Sequence, residues 1–71
     1  MKFSDAFKAM KNGNKAKLPS WGGYWYWDIK KNTIMIHTKD GEELDIRETQ
    51  DVEYTITFTF SDEWIIAEQE D

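Results

Sequence analysis

The residues most suited to chemistry lie in one run, Pro19-Ser20-Trp21-Gly22-Gly23-Tyr24-Trp25-Tyr26-Trp27. Five aromatic residues occupy the seven positions 21–27, and three of the chain's four tryptophans are among them. A core of this size does not need so many rings in one place. Large flat apolar faces beside a Gly-Gly backbone suit stacking against a nucleobase or a protein partner. Gly22 and Gly23 also allow backbone N–H groups to approach a phosphate closely. Trp21 and one ring of the following strand are the candidates for stacking on a planar ligand. The competing expectation is that Trp25 and Trp27 fill the core while Tyr24 and Tyr26 form a subunit contact.

Other candidates are scattered along the chain. His37 is the single histidine, with no Ser or Cys spaced to suggest a triad, so general acid–base work has little support. Arg47 is the single arginine and could clamp a phosphate with its fork, but Asp45, Glu48 and Asp51 surround it in sequence. Asp62-Glu63-Trp64 joins carboxylates, which could accept from a base amino group or a ribose hydroxyl, to a ring. Thr55, Thr57 and Thr59 would form a hydroxyl row if their segment were a strand. No phosphate-loop, dinucleotide, metalloprotease or nucleophile-elbow motif is present, so an enzyme is disfavoured.

The elements that must position these residues follow from periodicity. Phe3, Ala6, Phe7 and Met10 share one helical face over residues 1–12, with Ser4 as the expected N-cap, Asp5 in the first turn and Gly13 after the end. Lys15 to Leu18 alternates and stops at Pro19, which reads as a short edge strand. Tyr24 to Lys30 puts Tyr24, Tyr26 and Asp28 on one face and Trp25, Trp27 and Ile29 on the other. Lys31-Asn32 turns the chain into a strand over 33–39. Asp40-Gly41 is a type I′ hairpin signal. Residues 42–48 continue with Leu44 and Ile46 inward. Val52, Tyr54, Ile56, Phe58 and Phe60 alternate with polar residues and predict a strand. Glu63 to Ala67 is the last strand, followed by an acidic tail expected to fray. The sum is an α+β fold, a short N-terminal helix packed on an antiparallel sheet of four to five strands, in one domain over residues 1–71.

Size and charge bound the function. A chain of 71 residues buries only about 60% of its unfolded surface, so its own core is marginal. Without cysteine, and with one histidine, neither a disulfide nor a multi-histidine zinc site can brace it. Oligomerisation is the remaining usual support, and a homo-oligomer is expected. No stretch is long enough to span a membrane and no signal peptide is visible, so a cytosolic protein is expected. The net charge of −5 argues against binding long nucleic acid. Residues 1–39 carry eight lysines against two acids (+6), and residues 40–71 carry one arginine against twelve acids (−11). Lys15, Lys17, Lys30 or Lys31 could form a local basic rim for a small anion. No cofactor or metal is expected.

The N-terminal third resembles a family of small phage-encoded proteins. The shared pattern is Phe-x-x-Ala, three residues, Met or Leu followed by Lys-x-Gly-x-Lys, then a basic strand and Trp-x-Gly. It is carried here by Phe3, Ala6, Met10, Lys11, Gly13, Lys15, Lys17, Trp21 and Gly23. A terminal acid–Trp pair and a short apolar strand follow, here Glu63-Trp64 and Ile65-Ile66. The resemblance covers about residues 3–25 closely and 62–67 loosely. Family members commonly have a helical segment before the acid–Trp pair, where this chain predicts a strand. The family includes Thoeris anti-defence sponges. These bind, without cleaving, the cyclic ADP-ribose isomers made by TIR-domain enzymes, and some members have sites for cyclic dinucleotides. The resemblance implies a small α+β protomer assembling as a homotetramer, with ligand pockets at subunit interfaces.

The function expected from residues and resemblance together is a phage anti-defence sponge in the cytoplasm of the infected bacterium. Its ligand would be a cyclic nucleotide second messenger such as glycocyclic ADP-ribose, or a cyclic dinucleotide. Trp21 and Trp64 are the expected stacking rings, and Tyr24 or Trp25 would shape the pocket. Gly22 and Gly23 would give backbone approach, Asp62 or Glu63 would read hydroxyls or amino groups, and Arg47 or Lys17 would meet phosphate. The alternative is an acidic protein-interaction module that inhibits a host protein. A signal-degrading phosphodiesterase rests only on His37 and the carboxylates.

Overall fold

A computed structural model describes residues 1–49 and 52–67. The first helix, α1, runs Phe3–Lys11. Its apolar stripe faces the sheet, with Ala6 and Met10 buried. Asp5 in the first turn and Lys8 and Lys11 in the last complement the helix dipole. Its C-terminus closes as the sequence predicts. Gly13 takes φ of 100°, its N–H donates to the Met10 carbonyl at 3.0 Å, and the Asn14 N–H donates to the Ala9 carbonyl at 3.0 Å. That pair of bonds is a Schellman closure, which needs a left-handed residue. The N-terminus differs from expectation. Lys2, not Ser4, is the N-cap, and it makes no side-chain capping bond. Phe3 must sit in the first turn to reach the buried Trp64 ring, 5.2 Å away between centroids. The chain before it is pinned by the Trp64 N–H donating to the Met1 carbonyl at 3.1 Å.

Five strands form one antiparallel sheet: β1 (Lys15–Lys17), β2 (Tyr24–Asp28), β3 (Thr33–His37), β4 (Glu43–Asp45) and β5 (Ile65–Ala67). The spatial order is β4-β3-β2-β1-β5. The α+β expectation therefore holds, with α1 covering one face. Strand β1 is not an edge as expected. Its second side is taken by β5, through Lys15–Ala67, Ala16–Ile66 and Lys17–Ile65.

Register sorts the aromatic run by face. Trp25 sits between Ala16 and Ile36, and Trp27 opposite Ile34, on the side under α1. Tyr24 lies opposite His37 and Tyr26 opposite Met35, on the side away from the helix. Ile29 does not continue the inward row; β2 ends at Asp28 and Ile29 is 81% exposed. Leu44 follows the helix-side register beside Ile36, but lies on the edge strand beyond the helix and stays exposed. Ile46 leaves the strand for a 3₁₀ turn, Ile46–Glu48, and packs against the core.

Asn32 takes φ of 56°, as a tight turn after β2 requires. At Asp40-Gly41 only the glycine is left-handed, φ 88°. The Gly41 N–H donates to the Thr38 carbonyl at 3.0 Å, and the Thr38 N–H to Glu42 at 2.9 Å. A type I′ turn needs both central residues at positive φ, so this is the longer, three-residue connection.

The largest departure is the segment read as the clearest strand. Val52–Thr57 is helix α2, and Phe58–Phe60 is a 3₁₀ turn. Alternating Thr and apolar residues favour a strand only where a sheet edge accepts them, since β preference is largely contextual. Here the tertiary fold rewards a helical spacing. Tyr54 and Phe58, four apart, meet edge to face at 4.8 Å, and Phe58 meets Trp21 at 5.0 Å. The expected threonine row does not form. Thr57 Oγ1 donates to the Tyr54 carbonyl at 2.6 Å and Thr59 Oγ1 to Ile56 at 2.7 Å, each satisfying its own helical turn. Residues 68–71, the acidic tail, and residues 50–51, which include Asp51 of the acids that surround Arg47 in sequence, lie outside the described residues.

Candidate functional site

The loop between β1 and β2, the end of β3 and one side of α2 border an open pocket of about 370 Å³. Trp21, Gly22 and Gly23 form one wall, and Tyr24 and Trp25, whose rings take opposite faces of β2, border it. Thr38 and Lys39 approach from the end of β3, Tyr54 from α2 and Phe58 from the 3₁₀ turn that follows it. Five of the residues singled out in the sequence are thus gathered at one place. The volume is at the small end of the ~300–1,000 Å³ usual for ligand pockets, and the mix of rings with a few polar groups is typical of them.

The glycine pair owes its identity first to packing. A Cβ on Gly23 would fall 2.1 Å from the His37 carbonyl oxygen, and a Cβ on Gly22 would fall 2.9 Å from the Lys39 Cβ. Only a backbone without side chains lets the loop lie this close to the end of β3. Trp21 is half-buried. Its ring meets Trp25 at 5.4 Å, Trp64 at 5.2 Å and Phe58 at 5.0 Å, so the wall it presents to the pocket is braced from behind.

His37 and Thr55 also line this pocket, whereas Trp64, Asp62, Glu63, Lys17 and Arg47 do not. Trp64 is 1% exposed, touches Phe3, Trp21 and Trp25, and donates from Nε1 to the Phe58 carbonyl at 2.9 Å. It is a core residue with no face left to stack on a ligand. Asp62 and Glu63 border a separate, larger groove of about 940 Å³ with Lys2, Phe3, Phe7 and Phe60. Lys17 lies on β1, opposite Ile65. Arg47 is held by Asp45: Nη2 donates to Oδ2 at 2.7 Å, and Nε donates to Oδ1 and Oδ2 at 3.1 and 3.2 Å. The Arg47 backbone N–H and Thr33 Oγ1 also donate to Asp45 Oδ1. These bonds, the guanidinium's first, hold the Asp45 carboxyl well below the usual carboxylate range. Arg47 is a structural ion pair, the outcome its acidic neighbours in sequence foreshadow.

Three residues that alternation placed on three strands come together on the helix-free face. Glu43 accepts from Tyr26 Oη with Oε1 and from His37 Nδ1 with Oε2. The hydrogen bond to Glu43, then burial, pushes the Tyr26 phenol up to about 12. The same bond, followed by that of His37, lowers the Glu43 carboxyl. Tyr24 stacks on His37 at 4.6 Å and 13°, and Lys15 Nζ stands 4.8 Å from the Tyr24 ring centre. His37 therefore has one ring nitrogen committed to a carboxylate and one ring face committed to Tyr24.

Sequence reasoning missed Lys39, Thr38, Tyr54 and Phe58 as pocket residues. Lys39 and Thr38 were legible only as hairpin residues beside Asp40-Gly41. Tyr54 and Phe58 share a spacing of four, a helical signal that the stronger two-residue alternation hid.

No protein-family model, curated protein or solved structure matches this chain.

Proposed function

We propose that this protein binds and sequesters, without cleaving it, a small cyclic nucleotide signal of the cyclic ADP-ribose type, as a phage sponge against bacterial immune signalling. The observation that carries the proposal is the pocket that joins Trp21 and Tyr24 to the Gly22-Gly23 backbone, with Lys39 at its border. That combination offers a nucleotide a stacking face, close backbone approach and a positive charge. Stacking one base on an aromatic ring contributes roughly 1–3 kcal/mol. Nanomolar capture requires about −12 kcal/mol, so further contacts must come from ribose and phosphate. A pocket of about 370 Å³ does not enclose a whole dinucleotide-sized signal, which favours a second protomer completing the walls. A homotetramer is the assembly we propose. Helix α2 narrows the difference in the middle segment between this chain and the sponge family it resembles, although the Trp and the Ala-rich composition of that family's helical segment are absent here.

The test is a thermal-shift panel of cyclic ADP-ribose isomers and cyclic dinucleotides, followed by heat release and mass identification of what was bound. A large shift with intact ligand recovered supports sequestration. A shift with altered ligand means an enzyme. No shift with any of them overturns the proposal.

A second reading has its own observation. Tyr54, Ile56 and Phe60 are exposed on the acidic half of the chain, Phe60 to 80%. Apolar side chains on an acidic surface suit an inhibitor that docks on a host protein. That reading requires a stoichiometric, salt-sensitive partner whose binding is indifferent to added nucleotide.

A further inference from the structure

We infer that Lys39 is the anion contact of the Trp21–Tyr24 pocket, and that Gly22 is a glycine in order to seat it, so that the ligand carries a phosphate beside its planar ring. The inference rests on the pocket being a ligand site.

Three observations converge on it. First, Lys39 is the lysine that lines the pocket; no other Lys or Arg among the described residues does. Arg47 has its fork on Asp45, and Lys17 belongs to a strand outside the lining. Second, the Lys39 stem runs over Gly22. A Cβ built there would lie 2.9 Å from Lys39 Cβ, 3.8 Å from Cδ and 3.9 Å from Cγ. Three carbons of one lysine side chain lie along a single residue, so the stem is laid against the loop. Gly22 has no positive φ to explain its identity. The close approach does. Third, the loop backbone is pinned beneath that stem, because Gly23 closes against the His37 carbonyl. The geometry therefore lays the Lys39 stem against the Gly-Gly backbone at the border of the aromatic pocket. A stem held against the loop before binding loses less entropy when the ammonium meets a ligand. A lysine serves as a point charge for phosphate, and a planar group stacked on the rings would hold that phosphate within its reach.

The test compares ADP with adenosine, which share the planar ring and differ in the charged group, by calorimetric or NMR titration. Wild-type protein is expected to prefer ADP at least tenfold. Lys39→Met keeps the stem and removes the charge, and should bring the two ligands within about twofold of each other. Lys39→Arg should restore the preference. Gly22→Ala should reduce it by displacing the stem, with adenosine binding as the internal control for folding. Lys30→Met, which makes the same change in net charge at an exposed turn, should leave the preference intact. Equal binding of the two ligands by wild-type protein, no binding of ADP, or a preference that survives Lys39→Met would overturn the inference. Its failure is distinct from failure of the sponge reading. Cyclic signals that stabilise the protein while Lys39→Met changes nothing would sink the Lys39 assignment alone. An ADP preference lost in Lys39→Met, with no response to any cyclic signal, would sink the sponge alone.

Discussion

The Gly23 Cα faces the His37 carbonyl so closely that a Cβ on residue 23 would sit 2.1 Å from that oxygen. The obstacle is backbone, held at the end of β3 between β2 and β4, and it cannot swing away as a side-chain tip could. The contact fixes where the aromatic loop meets the end of β3, and so fixes the mouth of the pocket.

Gly23→Ala should therefore destabilise the fold by roughly 2–3 kcal/mol, the upper part of the range for overpacking. In a domain of this size that corresponds to a fall in Tm of roughly 10–20 °C. Gly13→Ala, which meets no atom within 4 Å but must hold φ of 100°, should cost less, about 1–2 kcal/mol. Thermal unfolding of both variants checks the order; equal losses would show that His37 moves aside.

Trp21 and Trp64 should separate in their effects. Trp64→Ala removes the most buried large side chain, at roughly 3–5 kcal/mol, and a domain this small should no longer fold cooperatively. Trp21→Leu keeps an apolar plug against Phe58 and Trp25 but loses the flat face. It should stay folded and lose at least tenfold in affinity for whichever cyclic signal stabilises the wild type. Circular dichroism with the ligand titration reads both. Normal binding by Trp21→Leu would make Trp21 a packing residue only.

The bond between Tyr26 and Glu43 predicts an alkaline transition. The folded phenol ionises at about 12 and the unfolded one near 10. Between these values the folded state holds a proton that the unfolded state has lost, so stability falls as pH rises from about 10 to about 12. Below about 10 the contribution is complete. Phenolate absorbance should show a late step near pH 12 that Tyr26→Phe lacks and that Glu43→Gln moves to lower pH.

Asp45 predicts the opposite flank. Its folded pKa is depressed by Arg47, so its contribution is present above the unfolded value of about 3.9 and is lost as pH falls through the lower folded value. Asp45→Asn should lower Tm at pH 7, and the gap to wild type should close toward pH 2. Since Arg47 serves this pair and not the pocket, Arg47→Met should leave ligand affinity within about twofold. A larger loss would place the guanidinium at the ligand after all.

Local pattern determined much of this protein. The spacing of Phe3, Ala6, Phe7 and Met10 set the face of α1, and Gly13 set its end, because a helix stripe and a left-handed closure depend on near neighbours alone. Alternation in Tyr24–Trp27 divided the tyrosines from the tryptophans, because strand side chains must point to opposite faces. The same rule failed at Val52–Phe60. A two-residue period carries no information about whether a sheet edge is available, and there Phe58 had Trp21 to pack on instead. Tertiary structure alone decided that Trp64 is core and Trp21 is a wall, though both are tryptophans that directly follow a polar residue. It also decided that Lys39, a hairpin lysine without any motif, would lie over Gly22. Arg47 and Asp45 are near neighbours whose pairing the sequence foreshadowed, but Lys39 meets Gly22 only through the pairing of β2 with β3, and Phe58 meets Trp21 only through the docking of the segment after β4, which no local spacing encodes.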